Sequence, residues 1–141
     1  MKRTASAVWL GSLKQGSGTV STANGALKNT PYSFSSRFEN GAGTNPEELI
    51  AAAHAGCFTM ATSASLGRAN ITAERLSTEA ELILEQVQGS WTITKIHLHL
   101  TGRVPGISQE KFAEIAADAK ANCPVSRLLK AEITLDAKLE G

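Results

Sequence analysis

The chain has 141 residues, of which 42% are hydrophobic, and its formal net charge at pH 7 is +1. A nearly neutral chain with only 5% aromatic residues lacks the basic surface and the stacking side chains that nucleic-acid-binding proteins use. The length suits one compact domain with a substantial core, and no linker or repeat divides it. We therefore predict a single domain over residues 1–141.

The N-terminal part of the chain predicts an antiparallel meander. Residues 1–10 faintly resemble a signal peptide, but their apolar run is weak, so we interpret residues 3–14 as the first strand of a cytoplasmic protein. Asn24-Gly25 is a strong hairpin signal after a second strand. Residues 26–38 are predicted to continue the sheet, with Arg37 on the face opposite the neighbouring phenylalanines.

The longest segment without a formal charge, residues 49–67, predicts a buried helix that contains Cys57. Asn45 is a capping residue, Pro46 suits the first helical position, and two glutamates follow at the positive end of the dipole. Small side chains fill most of the interior, so other backbones could approach closely. The length is in the transmembrane range of about 17–25 residues, but His54 and several hydroxyl groups disfavour a membrane.

The remaining chain predicts three strands and two helices. Residues 76–85 alternate as a half-buried strand, and residues 91–100 form a second strand whose alternation slips near Lys95, which indicates a bulge. A helix begins after Ser108, and a shorter helix follows Cys123. Residues 131–139 alternate as a final strand. The predicted order is β-β-β-α-β-β-α-α-β, an α+β fold in which antiparallel sheet wraps a buried central helix.

His97 and His99 share one face of the second of these strands. Such a pair can ligate a metal, but no third cysteine, aspartate or glutamate is adjacent in the sequence. We therefore predict a polar, solvent-facing strand surface and neither a metal nor a cofactor.

Cys57 and Cys123 are the only cysteines, and their separation excludes a thioredoxin-type motif and zinc-finger spacing. They are either two inert core residues or a redox pair, and the count alone favours the inert alternative. Cys123 precedes a helix whose free N–H groups favour a thiolate. Cys57 lies in mid-helix with only His54 within one turn, and burial there would disfavour its thiolate.

Positive charge for Cys57 could come from His54 or from Arg37. His54, three residues before Cys57, could form a hydrolase-like Cys–His pair, but no orienting Asp or Asn is evident, so a core histidine bonded to a backbone carbonyl is favoured. Arg37 is permanently charged, although an exposed strand arginine is the ordinary alternative. Three functions remain open at this point: a thiol redox enzyme, a Cys57/His54 hydrolase, and a redox-silent stress or ligand-binding protein with buried thiols.

Four segments together resemble the OsmC/Ohr family, the osmotically inducible and organic hydroperoxide resistance proteins. They are residues 36–38 (SRF), 44–49 (TNPEEL), 53–60 (AHAGCFTM) and 122–126 (NCPVS). The resemblance spans nearly the whole chain. It is to the OsmC branch, because the arginine comes late, in Arg37-Phe38-Glu39, and the segment GTVST at residues 18–22 precedes it.

The resemblance implies an OsmC-like peroxidase that reduces hydroperoxides, preferably organic ones, with its thiols. Cys57 matches the peroxidatic cysteine, Cys123 the resolving cysteine, Arg37 the activating arginine and Glu47 the carboxylate that holds this arginine. A Cys57 sulfenic acid and then a Cys57–Cys123 disulfide would form during turnover. An external dithiol, for which the family precedent is dihydrolipoamide, would reduce the disulfide.

The spacing of Glu47 and Cys57 predicts a homodimer if Arg37 and Glu47 serve this cysteine. Ten residues along one helix correspond to about 15 Å, too far for one small site. Arg37 and Glu47 would then serve Cys57 of a second subunit in an intertwined two-fold dimer with interfacial active sites. The uneven charge distribution agrees with such a dimer, because oppositely charged segments attract each other. The first 38 residues contain no acidic residue, while residues 39–89 contain seven.

Overall fold

The computed structural model describes residues Met1–Gly141 and has the predicted mixed α+β order with one short helix added. The elements are β1 (Ala5–Leu10), β2 (Ser17–Thr22), β3 (Thr30–Tyr32), α1 (Phe34–Phe38), α2 (Pro46–Arg68), β4 (Arg75–Val87), β5 (Ser90–Arg103), α3 (Gln109–Asn122), α4 (Pro124–Leu128) and β6 (Glu132–Leu139). They fall into two compact units, Met1–Leu49 and Ile50–Gly141. The single domain over residues 1–141 stays a prediction.

The added helix is α1, and the prediction of a strand through Phe38 was wrong. Ser33 and Ser36 form a capping box: the Ser33 hydroxyl accepts from the Ser36 N–H at 3.1 Å, and the Ser36 hydroxyl accepts from the Ser33 N–H at 2.8 Å. This box starts a helical turn despite the alternating pattern. Phe34 and Phe38 still share one face, because residues four apart are neighbours on a helix, and their ring centroids lie 5.0 Å apart.

The first unit contains an antiparallel sheet in the order β1-β2-β3. Strand β1 confirms that the N-terminal segment is a strand. Asn24-Gly25 lies in the connection between β2 and β3, and Gly25 has a φ of +79°, a conformation that other residues rarely adopt. The hairpin prediction is therefore confirmed.

The second unit contains a mixed sheet in the order β4-β5-β6. Strands β4 and β5 are antiparallel, but β6 runs parallel to β5, since the intervening α3 and α4 return the chain to the same end of the sheet. The predicted antiparallel pairing is wrong for this one pair. Ile83 pairs with Lys95 whereas Leu84 pairs with Ile93, which confirms the bulge beside Lys95.

The main core lies in the second unit, where apolar side chains of α2, β5 and α3 pack together. Alternate residues of β5 point into it, and α3 contributes side chains at helical spacing. The buried members on these three elements are Phe58, Leu66, Ile96, Leu98, Leu100, Phe112, Ile115, Ala116 and Ala119. This core fixes the backbone on which the cysteines lie.

Helix α2 buries one face and exposes the other. Its buried residues are His54, Phe58, Thr62, Ser65 and Leu66. Its exposed residues include Ala52, Ala53, Gly56, Met60, Ser63, Ala64 and Gly67. Within a single chain, the prediction of a buried central helix thus holds for one face of α2 only. Helix α2 is long and apolar enough to cross a membrane, but core helices of soluble proteins meet the same criteria of length and composition.

Candidate active site

The two cysteines, separated by 66 positions in the sequence, meet in the structure as free thiols. The Cys123 thiol donates to the Cys57 sulfur, and the two sulfurs lie 2.9 Å apart. A disulfide bond is about 2.04 Å long, so a shift of about 0.9 Å would join them. Cys123 is fully buried, whereas Cys57 is partly exposed. Oxidation could therefore join the two sulfurs in a disulfide with little movement, and Cys57 is the member of the pair that a small molecule can reach.

Cys123 lies at the junction of α3 and α4. Its N–H donates to the Ala119 carbonyl at 2.9 Å and closes α3, and Pro124 then begins α4. Proline suits this position, because the first N–H of a helix has no partner within that helix. The predicted N-cap position of Cys123 is confirmed, and the sharp change of direction brings its sulfur to α2.

The surroundings of Cys57 within the chain work against its thiolate. Burial raises the pKa of Cys57, and the adjacent Cys123 raises it further. The Val125 N–H, at the start of α4, hydrogen-bonds the Cys57 sulfur and acts in the opposite direction. The sequence had assigned the donors of this helix end to Cys123, so this contact to Cys57 is a new element of the site.

His54 forms a hydrogen bond that the sequence analysis did not predict. Its Nε2 lies 2.8 Å from the Ser126 hydroxyl, not from a backbone carbonyl, while Nδ1 is buried without a partner. Neither ring nitrogen bonds Cys57, so the Cys–His pair of a hydrolase is not formed. The bond ties α2, three residues before Cys57, to α4, three residues after Cys123, and it helps to hold the two sulfurs together.

Acidification is expected to destabilise the fold through His54. Burial lowers the pKa of His54 from its ordinary value of 6.5. The unfolded chain therefore takes up a proton as the pH falls below about 6.5, before the folded chain does, and stability is lost from there downwards. Urea unfolding at several pH values between about 7.5 and 5.5 measures how steeply the free energy of unfolding falls with falling pH. In His54→Gln this dependence on pH should be shallower. An unchanged dependence would contradict the assignment of the acid destabilisation to His54.

Arg37 and Glu47 form an ion pair in the first unit. Arg37 Nη2 lies 2.6 Å from Glu47 Oε1, and Arg37 Nε lies 3.1 and 3.2 Å from the two carboxylate oxygens. The carboxylate is 12% exposed and the guanidinium side chain 37% exposed. The fork of donors fixes the orientation of the guanidinium group, and the exposed part of that group is free to contact another molecule.

The connection between α1 and α2 holds this ion pair in place. Asn45 Oδ1 accepts from the Glu48 N–H at 2.8 Å, which caps α2, and Asn45 Nδ2 donates to the Ser36 carbonyl at 3.0 Å, which anchors α1. The Ser36 hydroxyl also donates to the Thr44 carbonyl at 2.7 Å. One asparagine thus joins the helix that carries Arg37 to the helix that carries Glu47.

An apolar cavity of about 240 Å³ lies beside Arg37 in the first unit. It is lined by Trp9, Leu13, Tyr32, Ser33, Phe34, Arg37 and Phe38. The two phenylalanines of α1, Phe34 and Phe38, both contribute to this lining.

The four predicted site residues therefore occur as two pairs: Cys57 with Cys123, and Arg37 with Glu47. Sequence reasoning missed Ser126 and the Val125 N–H. The sequence places both near Cys123, since residues at the start of a helix that follows a cysteine lie within one turn of its sulfur. Their contacts with Cys57 and His54 join distant segments, and no local signal predicts them.

Comparison with known proteins gives matches over nearly the whole chain. A model of the OsmC-like protein family matches residues 39–138. The chain is 52% identical over 133 residues to peroxiredoxin OsmC of Escherichia coli strain K12, which covers 94% of this chain and 93% of the relative. It is 27% identical over 124 residues to the organic hydroperoxide resistance protein OhrB of Bacillus subtilis, with 87% and 88% of the two chains covered.

A solved structure has the same fold. It is an OsmC-like protein of unknown function from Vibrio cholerae, with a TM-score of 0.78 over 97% of this chain and 99% of that chain. The two sequences are 17% identical, so this likeness concerns the fold alone.

Proposed function

Since this chain belongs to the OsmC branch of the OsmC/Ohr family and is a cysteine-based thiol peroxidase, we propose that it reduces organic hydroperoxides in preference to hydrogen peroxide. The resemblance predicted from sequence is confirmed by the 52% identity to peroxiredoxin OsmC. The observation that carries the proposal is the thiol pair, in which a partly exposed Cys57 lies 2.9 Å from a buried Cys123.

In the first step the Cys57 thiolate attacks the terminal oxygen of the hydroperoxide. A sulfur–oxygen bond forms, the oxygen–oxygen bond breaks, and the alkoxide leaves and is protonated to the alcohol. The peroxide is reduced by two electrons and the Cys57 sulfur is oxidised to a sulfenic acid. Exposure decides the order of the cysteines, because Cys57 is accessible and Cys123 is fully buried.

In the second step the Cys123 sulfur attacks the sulfenic acid. A Cys57–Cys123 disulfide forms and the sulfenic oxygen leaves as water. The short distance between the sulfurs favours this reaction over further oxidation of Cys57. An external dithiol, such as dihydrolipoamide, then exchanges with the disulfide and restores both thiols. A cytoplasmic location would supply such a reductant and keep the resting thiols reduced.

Activation of Cys57 requires positive charge from outside its immediate surroundings, since burial raises its pKa. Arg37, oriented by Glu47, is the residue that we assign to this task. Helix α2 is continuous from Pro46 to Arg68, so Glu47 and Cys57 are ten positions apart on one helix, about 15 Å along its axis. We therefore assign Arg37 and Glu47 of one subunit to Cys57 of the other subunit of a homodimer.

The exposed face of α2 supports this assembly. A side-chain carbon added at Gly56 or at Gly67 would meet no atom within 4 Å, so both positions are open to another backbone. Met60 is 76% exposed on the same helix, an unusual position for a large apolar side chain. A second copy of the chain would cover these residues and complete the burial of the helix that the sequence predicts.

The apolar cavity supports the preference for an organic substrate. Its aromatic lining can exclude water from an alkyl or aryl group, while Arg37 at its wall can bond the peroxide oxygens. Hydrogen peroxide has no group to fill such a cavity.

The two other functions lose support. A redox-silent binding protein has no need for two thiols at 2.9 Å, and the hydrolase lacks a bond between His54 and Cys57.

One equivalent of cumene hydroperoxide is expected to remove both thiols of each reduced chain and to yield one equivalent of cumyl alcohol. Stopped-flow thiol loss should be faster with cumene hydroperoxide than with hydrogen peroxide, because only the former can occupy the apolar cavity. Persistence of both thiols would refute the peroxidase activity. Equal rates of thiol loss with the two peroxides would refute only the substrate preference.

A matched pair of variants ties this preference to the cavity. Leu13 and Leu10 are exposed to a similar degree, at 65% and 67%, but only Leu13 lines the cavity. Leu13→Ser should slow the reaction with cumene hydroperoxide several-fold, equivalent to about 1 kcal/mol of lost apolar contact, and leave the rate with hydrogen peroxide unchanged. Leu10→Ser should change neither rate.

A further inference from the structure

We propose that the outer face of the β4-β5-β6 sheet binds a divalent transition metal, with His97, His99 and Asp136 as ligands. One potential ligand atom from each of these residues lies within 4.8 Å of the other two. The sequence offered no third ligand near the histidines, and the fold supplies it from β6. The site lies apart from the cysteines and is independent of the proposed peroxidase function.

Sheet registration brings the ligands together. His97 and His99 are alternate residues of β5 and point to one face, where their rings meet edge to face with centroids 4.3 Å apart. Asp136 is the register partner of His99 on the parallel strand β6. Glu81 is the register partner of His97 on β4, and its carboxylate lies 3.3 Å from His99 Nε2. Glu81 is therefore available as a fourth ligand.

The strand that carries the two histidines is packed against the core on its other face. The residues of β5 that alternate with the two histidines, Ile96, Leu98 and Leu100, are at most 1% exposed in the core. Two ligand atoms at about 2.05 Å from a tetrahedral metal are about 3.3 Å apart. The ligand atoms here lie within 4.8 Å of one another, so small side-chain rotations suffice to bring them around an ion. The Thr134 hydroxyl bonds His97 Nδ1 and restricts the rotation of this ring, as outer-sphere partners of metal ligands do.

The donor set selects the kind of metal. Two imidazoles and a carboxylate suit Zn²⁺, Co²⁺, Ni²⁺ or Cu²⁺, whereas Ca²⁺ and Mg²⁺ require oxygen ligands. Three protein ligands, with Glu81 or water in a fourth position, match the coordination number of zinc. A cavity of about 260 Å³ lined by Glu81, Ile83, Lys95 and His97 opens beside the cluster and provides room for a water ligand. We therefore assign the site to Zn²⁺, for which Co²⁺ is a spectroscopic probe.

Calorimetric titration with Zn²⁺, and optical titration with Co²⁺, test the site in the full chain carrying Cys57→Ser and Cys123→Ser. These substitutions remove the thiols, which could bind both metals. We expect one ion per chain and Co²⁺ absorption bands of a four-coordinate site. Each of His97→Gln, His99→Gln and Asp136→Asn should weaken binding at least tenfold, and Thr134→Val about tenfold.

Glu85→Gln is the matched control, since Glu85 lies on β4 like Glu81 but is not in the cluster. It should leave the affinity unchanged. His54, the remaining histidine, is fully buried and adds no second site. Absence of binding, or binding that survives the combined loss of His97 and His99 in a chain whose circular dichroism is unaltered, would overturn the proposal. The test does not involve peroxide, so its outcome is separate from that of the peroxidase assays.

Discussion

Cys57→Ser is expected to lower peroxide reduction to the rate measured without protein, whereas Cys123→Ser should still reduce one equivalent. The serine hydroxyl at position 57 is not a thiolate and cannot accept the peroxide oxygen. In Cys123→Ser the partly exposed Cys57 remains and can still be oxidised to a sulfenic acid. Turnover with a dithiol should fall, because the internal disulfide cannot form.

The products distinguish the two cysteines in this experiment. Mass spectrometry after one equivalent of cumene hydroperoxide should show a disulfide in the wild type. It should show a sulfenic acid at Cys57, trapped by a 1,3-diketone reagent, in Cys123→Ser. Cys123→Ala, which places no new polar group in the fully buried position, should give the same sulfenic acid. A sulfenic acid at Cys123 in Cys57→Ser, formed at the wild-type rate, would reverse the assignment.

The elements that the sequence predicted well are those with a local cause. The start of α2 follows from Asn45, Pro46 and two glutamates, and the position of Cys123 follows from the proline after it. The alternation in β4, β5 and β6 follows from burial of one sheet face. The bulge near Lys95 was visible because an extra residue shifts that alternation by one position.

The errors concern contacts between distant residues or competition between local signals. Residues 34–38 alternate like a strand, but the side-chain bonds of Ser33 and Ser36 favour a helical turn. The parallel pairing of β6 depends on the path of the chain through α3 and α4. For the same reason no local pattern could place Asp136 beside His99, or Ser126 beside His54.

The four candidate site residues came from the motif resemblance and not from the chemistry of the residues taken one by one. The motif resemblance named Cys57, Cys123, Arg37 and Glu47, and the structure brings them together as two pairs. Reasoning from the residues alone favoured inert cysteines, since it had no means of knowing that two thiols 66 positions apart would meet. What it did predict is that burial disfavours the Cys57 thiolate, and the raised pKa of Cys57 agrees with this prediction.

A heterodimer of one Cys57→Ser subunit and one Arg37→Ala subunit is expected to be active although each parent homodimer is not. Arg37→Ala alone should slow thiol oxidation by about 10²–10³-fold, the usual effect of removing a positioned electrostatic group. In the heterodimer the Arg37→Ala subunit keeps Cys57 and Cys123, and its partner keeps Arg37 with Glu47. If the sites lie between subunits as proposed, one of the two is then complete, and activity should be about half that of the wild type.

Co-expression with two different affinity tags, followed by sequential purification, isolates this heterodimer for the cumene hydroperoxide assay. The decisive control pairs a wild-type subunit with one carrying both Cys57→Ser and Arg37→Ala. If the sites lie between subunits, each site of this control dimer lacks either the cysteine or the arginine, and it should be inactive. If each chain held a complete site, the two results would exchange: the control would keep about half the activity and the first heterodimer none. Sedimentation of a fully active monomer would likewise rule out the shared site, because Arg37 could then reach only the Cys57 of its own chain.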